Sequence, residues 1–170
     1  MLSIITLIEF IIRWIGEKSS YINVLLVMII CIDVFMRYIL NTTQTWVIEL
    51  EWHLFALIFL LGASYTLQED QHVRVDLFYA DRSNKSKAWI NLAGTLLFLV
   101  PWCLILINSS FNYATNSWMM NEGSPNPGGL PARYIIKYCM TFGFVLLLLQ
   151  GIAVIYRSVQ TIFSSNTKSA

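Results

Sequence analysis

The sequence predicts an all-α membrane protein: four transmembrane helices preceded by an amphipathic interfacial helix, with both termini in the cytoplasm. The first observation behind this is composition. Of 170 residues, 56% are hydrophobic and 12% charged, whereas soluble domains sit near 45–50% apolar and about 25% charged. The second is the presence of four apolar stretches of the length a spanning helix needs, about 20 residues each. The third is the uneven placement of lysine and arginine along the chain. Mean hydropathy is +0.61. Lys plus Arg (11) nearly cancels Asp plus Glu (10), which excludes a nucleic-acid binder with a basic face, a disordered chain and an ordinary cytosolic enzyme domain.

The whole chain, 1–170, reads as one membrane domain. Residues 1–16 form the interfacial arm. Ser3, Thr6, Glu9 and Arg13 recur at helical spacing among Leu2, Ile5, Ile8, Ile12 and Trp14, a narrow polar stripe on a wide apolar cylinder. Gly16-Glu17-Lys18 then favours a break before the first span, which runs from about 21 to 40. The second span covers about 46–67, with Glu49, Glu51 and His53 near its start. The third covers about 88–110 and carries Pro101, which a membrane helix tolerates when the freed carbonyl finds a partner. The fourth covers about 134–156 and contains the run from Phe144 to Leu149.

Orientation follows from the basic residues. With the N-terminus inside, Arg13, Lys18, Arg74, Arg82, Lys85, Lys87, Arg157 and Lys168 are cytoplasmic, against Arg37, Arg133 and Lys137 outside. Cys31, Cys103 and Cys139 lie far apart within apolar runs, so neither a disulfide framework nor a zinc site is expected. The two histidines, His53 and His72, are too few for four-helix dihaem or His-box di-iron chemistry. No Walker loop, GxSxG or HExxH occurs, so we expect no enzyme and no cofactor.

Several charged positions stand out. Asp33 and Arg37, four apart, share a helix face and can pair. Two readings are open: an anchor for a partner helix or lipid headgroup, or an interfacial pair within one helix. Glu49 and His53 share a face, with Trp46 one turn earlier. Here an interfacial cap, a buried contact with another subunit and a proton site are all open. Gly62-Ala63-Ser64 is a small-residue cluster suited to helix packing. The loop containing His72, Arg74 and Asp76 reads as a solvated connector. Between spans three and four, Glu122-Gly-Ser-Pro-Asn-Pro127-Gly128-Gly129-Leu130-Pro131 holds three prolines and three glycines in ten residues. Arg133 and Lys137 follow, one turn apart. A recognition surface and a helix-breaking turn with a snorkelling basic pair are both compatible with that composition.

Ordered along the chain, these features resemble one family. Arg37-Tyr38 ends the first span. Trp46, Glu49 and Leu50 precede Phe59-Leu60-Leu61-Gly62-Ala63, and His72-Val73-Arg74-Val75-Asp76 follows. The segment from Glu122 to Pro131 comes next, with Arg133, Lys137, Gly143-Phe144 and Gln150-Gly151. From about Asn23 to Ser158 the chain resembles the small membrane subunit (DctQ type) of a tripartite ATP-independent periplasmic (TRAP) transporter. It departs at Gln68-Glu69-Asp70-Gln71, where a glycine-rich turn is common, and at Tyr138-Cys139-Met140-Thr141, where proline is common.

The resemblance implies a bacterial inner-membrane protein whose partners are the large TRAP membrane subunit (M type) and a periplasmic substrate-binding protein (P type). The large subunit would carry substrate and sodium and move as an elevator, taking up an organic acid. The small one would be a non-catalytic scaffold. Under that reading Asp33, Arg37, Trp46, Glu49, His53 and Gly62 face the partner subunit. Glu122, Pro127, Gly128, Gly129, Leu130, Pro131, Arg133 and Lys137 form the periplasmic docking surface. The alternative is a self-sufficient oligomeric transporter or channel with Glu49 as its proton site.

Overall fold

The computed structural model describes residues 2–69 and 82–164, and all the regular structure within them is helical. Four helices are long and apolar enough to cross a membrane: α1 (Leu2–Tyr38), α2 (Thr45–Gln68), α3 (Asn84–Met119) and α4 (Tyr134–Ser164). Their lateral order is α1–α2–α4–α3. Thus α4 lies between α2 and α3, and α1 packs chiefly on α2 with a lighter touch on α4. This is an open layer in which α4 is the most enclosed helix and α3 the least.

The expected break after residue 16 does not occur. At 37 residues, α1 is roughly 55 Å long, well beyond the roughly 30 Å of a hydrocarbon core. One seam explains its continuity. Glu9, Ile12, Gly16, Ser19, Leu26 and Asp33 are all buried, spaced by threes, fours and sevens as two packed helices require. Glu17 and Lys18 lie on the opposite, exposed side, so their charges do not interrupt the seam. Ser19 and Ser20 donate back to the Gly16 carbonyl at 2.7 and 3.3 Å, satisfying their hydroxyls inside the helix. The polar stripe also faces other helices: Glu9 pairs with Arg157 of α4, and Arg13 with Glu69 at the end of α2 at 2.9 Å.

Glycines mark the close crossings, and in the small-residue cluster 62–64 it is Ser64, fully buried, rather than Gly62 that packs. A Cβ on Gly16 would overlap Cβ and Cγ of Tyr65. One on Gly143 would sit 3.0 Å from the Leu60 carbonyl oxygen, and one on Gly151 would sit 2.6 Å from Leu99 Cδ2. At Gly62 a Cβ would meet nothing within 4 Å, so Gly62 mediates no packing within this chain. We expect Gly16→Ala to destabilise the protein by about 1–3 kcal/mol, because Tyr65 presents the root of its side chain and the helix must shift. Gly62→Ala should be neutral or slightly stabilising. Thermal unfolding in detergent checks both, and equal effects would refute this account of the crossings.

Pro101 is accommodated by its own helix. The turn Thr95–Leu99 is π-helical, and the Val100 N–H donates to the Thr95 carbonyl. Proline has no N–H and its ring crowds the carbonyl four residues back, so widening the preceding turn relieves the clash. From residue 110 on, α3 continues through polar sequence in which Ser110 and Thr115 find hydrogen-bond partners. Ser110 donates to Ile107 O at 3.2 Å, Thr141 of α4 donates to Ser110 at 3.0 Å, and Thr115 donates to Phe111 O at 2.8 Å.

Candidate functional site

At one end of the bundle lie the ends of α1 and α3 and the starts of α2 and α4, and the loop joining α3 to α4 packs on the last two. The loop begins where Asn121 takes a left-handed φ of 46°, and it ends where Ala132 does so at 59°. Between them it folds back on itself. Arg133 N–H donates to Glu122 O at 2.9 Å, Ser124 N–H to Leu130 O at 3.0 Å and Gly129 N–H to Asn126 O at 3.1 Å. Asn126 N–H also donates to Ser124 Oγ at 3.1 Å, a local turn that the flanking prolines reinforce. Gly128, at φ 71°, supplies the backbone shape that a side chain would strain.

Glu49 holds this loop from beneath. The carboxylate is buried. It accepts from Ser124 Oγ, from Asn126 Nδ2 at 3.2 Å and from the Leu130 N–H at 2.7 Å. Gly129 is required there, because its Cβ would lie 2.8 Å from Glu49 Oε2. Within this chain Glu49, for which the sequence leaves a helix cap, a contact with another subunit and a proton site open, anchors the chain's own loop.

Lys137 holds the loop from the side. Its ammonium pairs with Glu122 and lies 3.8 Å from the centre of the Tyr113 ring. Only 9% of its side chain is exposed, and within this chain it acts as a strut joining α4, the loop and α3. Arg133 is partly exposed and stands over the Trp52 ring at 5.6 Å. Pro127, Gly128 and Pro131 are exposed, while Gly129, Leu130 and Glu122 are half-buried. Edge-to-face contacts of Trp118 with Tyr134 at 4.9 Å and with Tyr138 at 6.4 Å bind the ends of α3 and α4.

The remaining candidates divide. Asp33 and Arg37 form the expected pair, with Asp33 buried and Arg37 half exposed. Trp46 is exposed. His53 is half-buried, its Nδ1 against the Glu49 carbonyl and its ring stacked 3.8 Å from Trp52. Glu51, which shows no such face in the sequence, lies within electrostatic reach of Asp33 and Arg37, and its buried Oε1 has no partner. Gly62 lies more than three turns further along α2. His72, Arg74 and Asp76 fall outside the described residues. Ser124 and Asn126 lie in the loop segment the sequence singles out, whereas Tyr113 and Trp52 join the site without having been identifiable there. No group of three His, Cys, Asp or Glu suited to a metal occurs among the described residues.

The Lys137 ammonium holds the Glu122 carboxyl below the usual carboxylate range. A carboxylate with a depressed folded pKa stabilises the fold above its ordinary value of about 4.3, and that contribution is lost as pH falls through the depressed value. Protection of the loop from proteolysis should therefore hold from neutrality down to about pH 5 and fail only below about pH 4. Glu122→Gln should remove only the share of that step due to Glu122, since the Glu49 carboxylate holds the same loop. A wild-type loop that opens near pH 6 would contradict the pairing.

A family model described as tripartite ATP-independent periplasmic transporters, DctQ component, matches residues 26–161. No curated protein matches the sequence.

Proposed function

We propose, because the chain belongs to the DctQ component family of tripartite ATP-independent periplasmic transporters, that it is the small non-catalytic scaffold subunit of such a transporter. It is a multi-pass membrane protein and a transporter component. In this reading it sits in the bacterial inner membrane with both termini cytoplasmic. It braces a large elevator subunit (M type) and presents the α3–α4 loop to a periplasmic substrate-binding protein (P type). The assembly then takes up an organic acid coupled to sodium.

The observation that supports this best is the clasped loop. Glu49 and Lys137, two of the few charged side chains buried in the structure, are both used to hold one exposed turn in a fixed shape. A rigid, exposed loop is what docking requires, since little ordering remains to be done on binding. The partner-facing candidates that stay accessible are Arg37 and Trp46, with His53 and Gly62 half-buried. Glu49 does not suit the alternative of a proton site in a self-sufficient transporter, because three donors already hold its carboxylate.

Expression with its genomic neighbours and gentle-detergent purification tests the proposal. A stoichiometric large polytopic membrane protein should accompany the chain, and uptake should require that protein and a binding protein. Recovery alone, as a homo-oligomer that moves a solute in liposomes, would overturn it.

A further inference from the structure

Because α2 and α3 do not pack directly on each other, a groove runs between them over α4. It encloses about 1030 Å³ and is almost wholly apolar, with Phe59, Ala63, Gly94, Trp102, Gly143 and Leu147 among its walls. Along α3 it extends from Ile90 to Leu106, roughly 24 Å of helix, enough for one leaflet of a roughly 30 Å core. At the end nearer the chain termini a smaller cavity of about 260 Å³ continues the same α2–α3–α4 cleft, and Asn91 lines both.

The smaller cavity has different chemistry. Lys87 and Arg157 contribute positive charge to its walls, and Glu9, which pairs with Arg157, contributes one negative charge. Gln68 and Gln150 also line it, and the Oε1 of each is buried without a hydrogen-bond partner. Gln150 is only 3% exposed. A buried carbonyl left unpaired is unfavourable, so a site with two of them calls for an occupant that donates. The cleft thus offers a surplus of positive charge for an anion, acceptors for a donor, and an adjoining apolar slot.

We propose that this cleft holds a phospholipid of the leaflet on the side of the chain termini. Its phosphate lies toward Lys87 and Arg157, its headgroup donates to Gln150 and Gln68, and one acyl chain fills the groove past Gly94. The headgroup therefore carries hydrogen-bond donors, as ethanolamine does and choline does not. Neither the transporter assignment nor the role of the loop enters this proposal.

Native mass spectrometry of the full-length chain, incubated with phosphatidylethanolamine or with phosphatidylcholine of the same acyl chains, tests it. The wild type should retain the ethanolamine lipid about fivefold better, the worth of one net hydrogen bond. Gln150→Leu should reduce that retention to the choline level. Gly94→Leu should abolish retention of both lipids, since a side chain there enters the groove and meets no other atom within 4 Å at its Cβ. Equal retention of the two lipids by the wild type would leave water as the occupant of the polar cavity and overturn the proposal. So would undiminished binding by Gly94→Leu. Should Gln150→Leu fail to fold, the wild-type ratio and Gly94→Leu still decide.

Discussion

Glu49→Ala should free the α3–α4 loop while the four helices stay assembled. Three donors on the loop, Ser124 Oγ, Asn126 Nδ2 and the Leu130 N–H, converge on this one carboxylate from positions 75 to 81 residues away. Hydrogen bonds to an ionised acceptor are about twice as strong as neutral ones. The remaining ties of the loop are turns within itself and the Glu122–Lys137 pair, so loss of Glu49 leaves the tip from Ser124 to Leu130 without an anchor. Amide exchange at Leu130 should accelerate by roughly ten- to a hundredfold, the worth of one charge-assisted bond. Exchange in α2 and α4 should change little. Glu49→Gln keeps the shape and one acceptor oxygen, so it should fall between wild type and alanine. If the alanine variant left Leu130 exchange unchanged, the anchor described here would be wrong. If it abolished recovery of the partner while leaving the loop intact, Glu49 would be returned to the subunit interface expected from the sequence.

What could be read in the sequence was periodic, and what could not was a matter of distant pairing. Four spans follow from runs of apolar residues, and the Asp33–Arg37 pair from a spacing of four, because a helix places such residues on one face whatever surrounds it. The α3–α4 loop announced itself through its prolines and glycines. The partner of Glu49 did not, since no local spacing connects residue 49 with residues 124 to 130. The same blindness made Lys137 look like an exposed cation. A lysine at the start of an apolar helix ordinarily snorkels to water, and only the fold shows Glu122 and the Tyr113 ring already closed around it. The break expected at Gly16 failed for a related reason. Glycine and charges signal a stop where a helix runs alone, but here Gly16 admits Tyr65 and the charges face away. Gly62 shows the converse, a small residue in an apolar span that no helix of this chain approaches.

Lys137 and Arg133, one turn apart and alike in charge, should respond oppositely to charge reversal. Lys137→Glu sets a second carboxylate against Glu122 in a site that leaves 9% of the lysine side chain exposed. Breaking a buried pair costs about 3–5 kcal/mol, and repulsion replaces the lost attraction. Because Glu122 keeps 32% of its side-chain surface, the lower end, about 3 kcal/mol, is expected. Thermal unfolding in detergent should fall accordingly, with the loop and the α3–α4 aromatic contacts loosened together and recovery of any complex reduced. Arg133→Glu loses a stacking contact over Trp52 at the rim, worth about 0.5–1 kcal/mol at an exposed site, together with a weaker attraction to Glu49 and Glu122. Its stability should fall much less than that of Lys137→Glu, and its assembly should be near wild type. If the loop docks a soluble binding protein, Arg133→Glu should still slow uptake. Rim charges act mainly on the rate of encounter, so the loss should shrink at high salt. A pair of variants with the same phenotype would separate the possibilities cleanly. Both stable with normal uptake would remove this end of α4 from docking. Both unstable would make Arg133 a strut as well, and leave Pro127, Gly128 and Pro131 as the surface a partner meets.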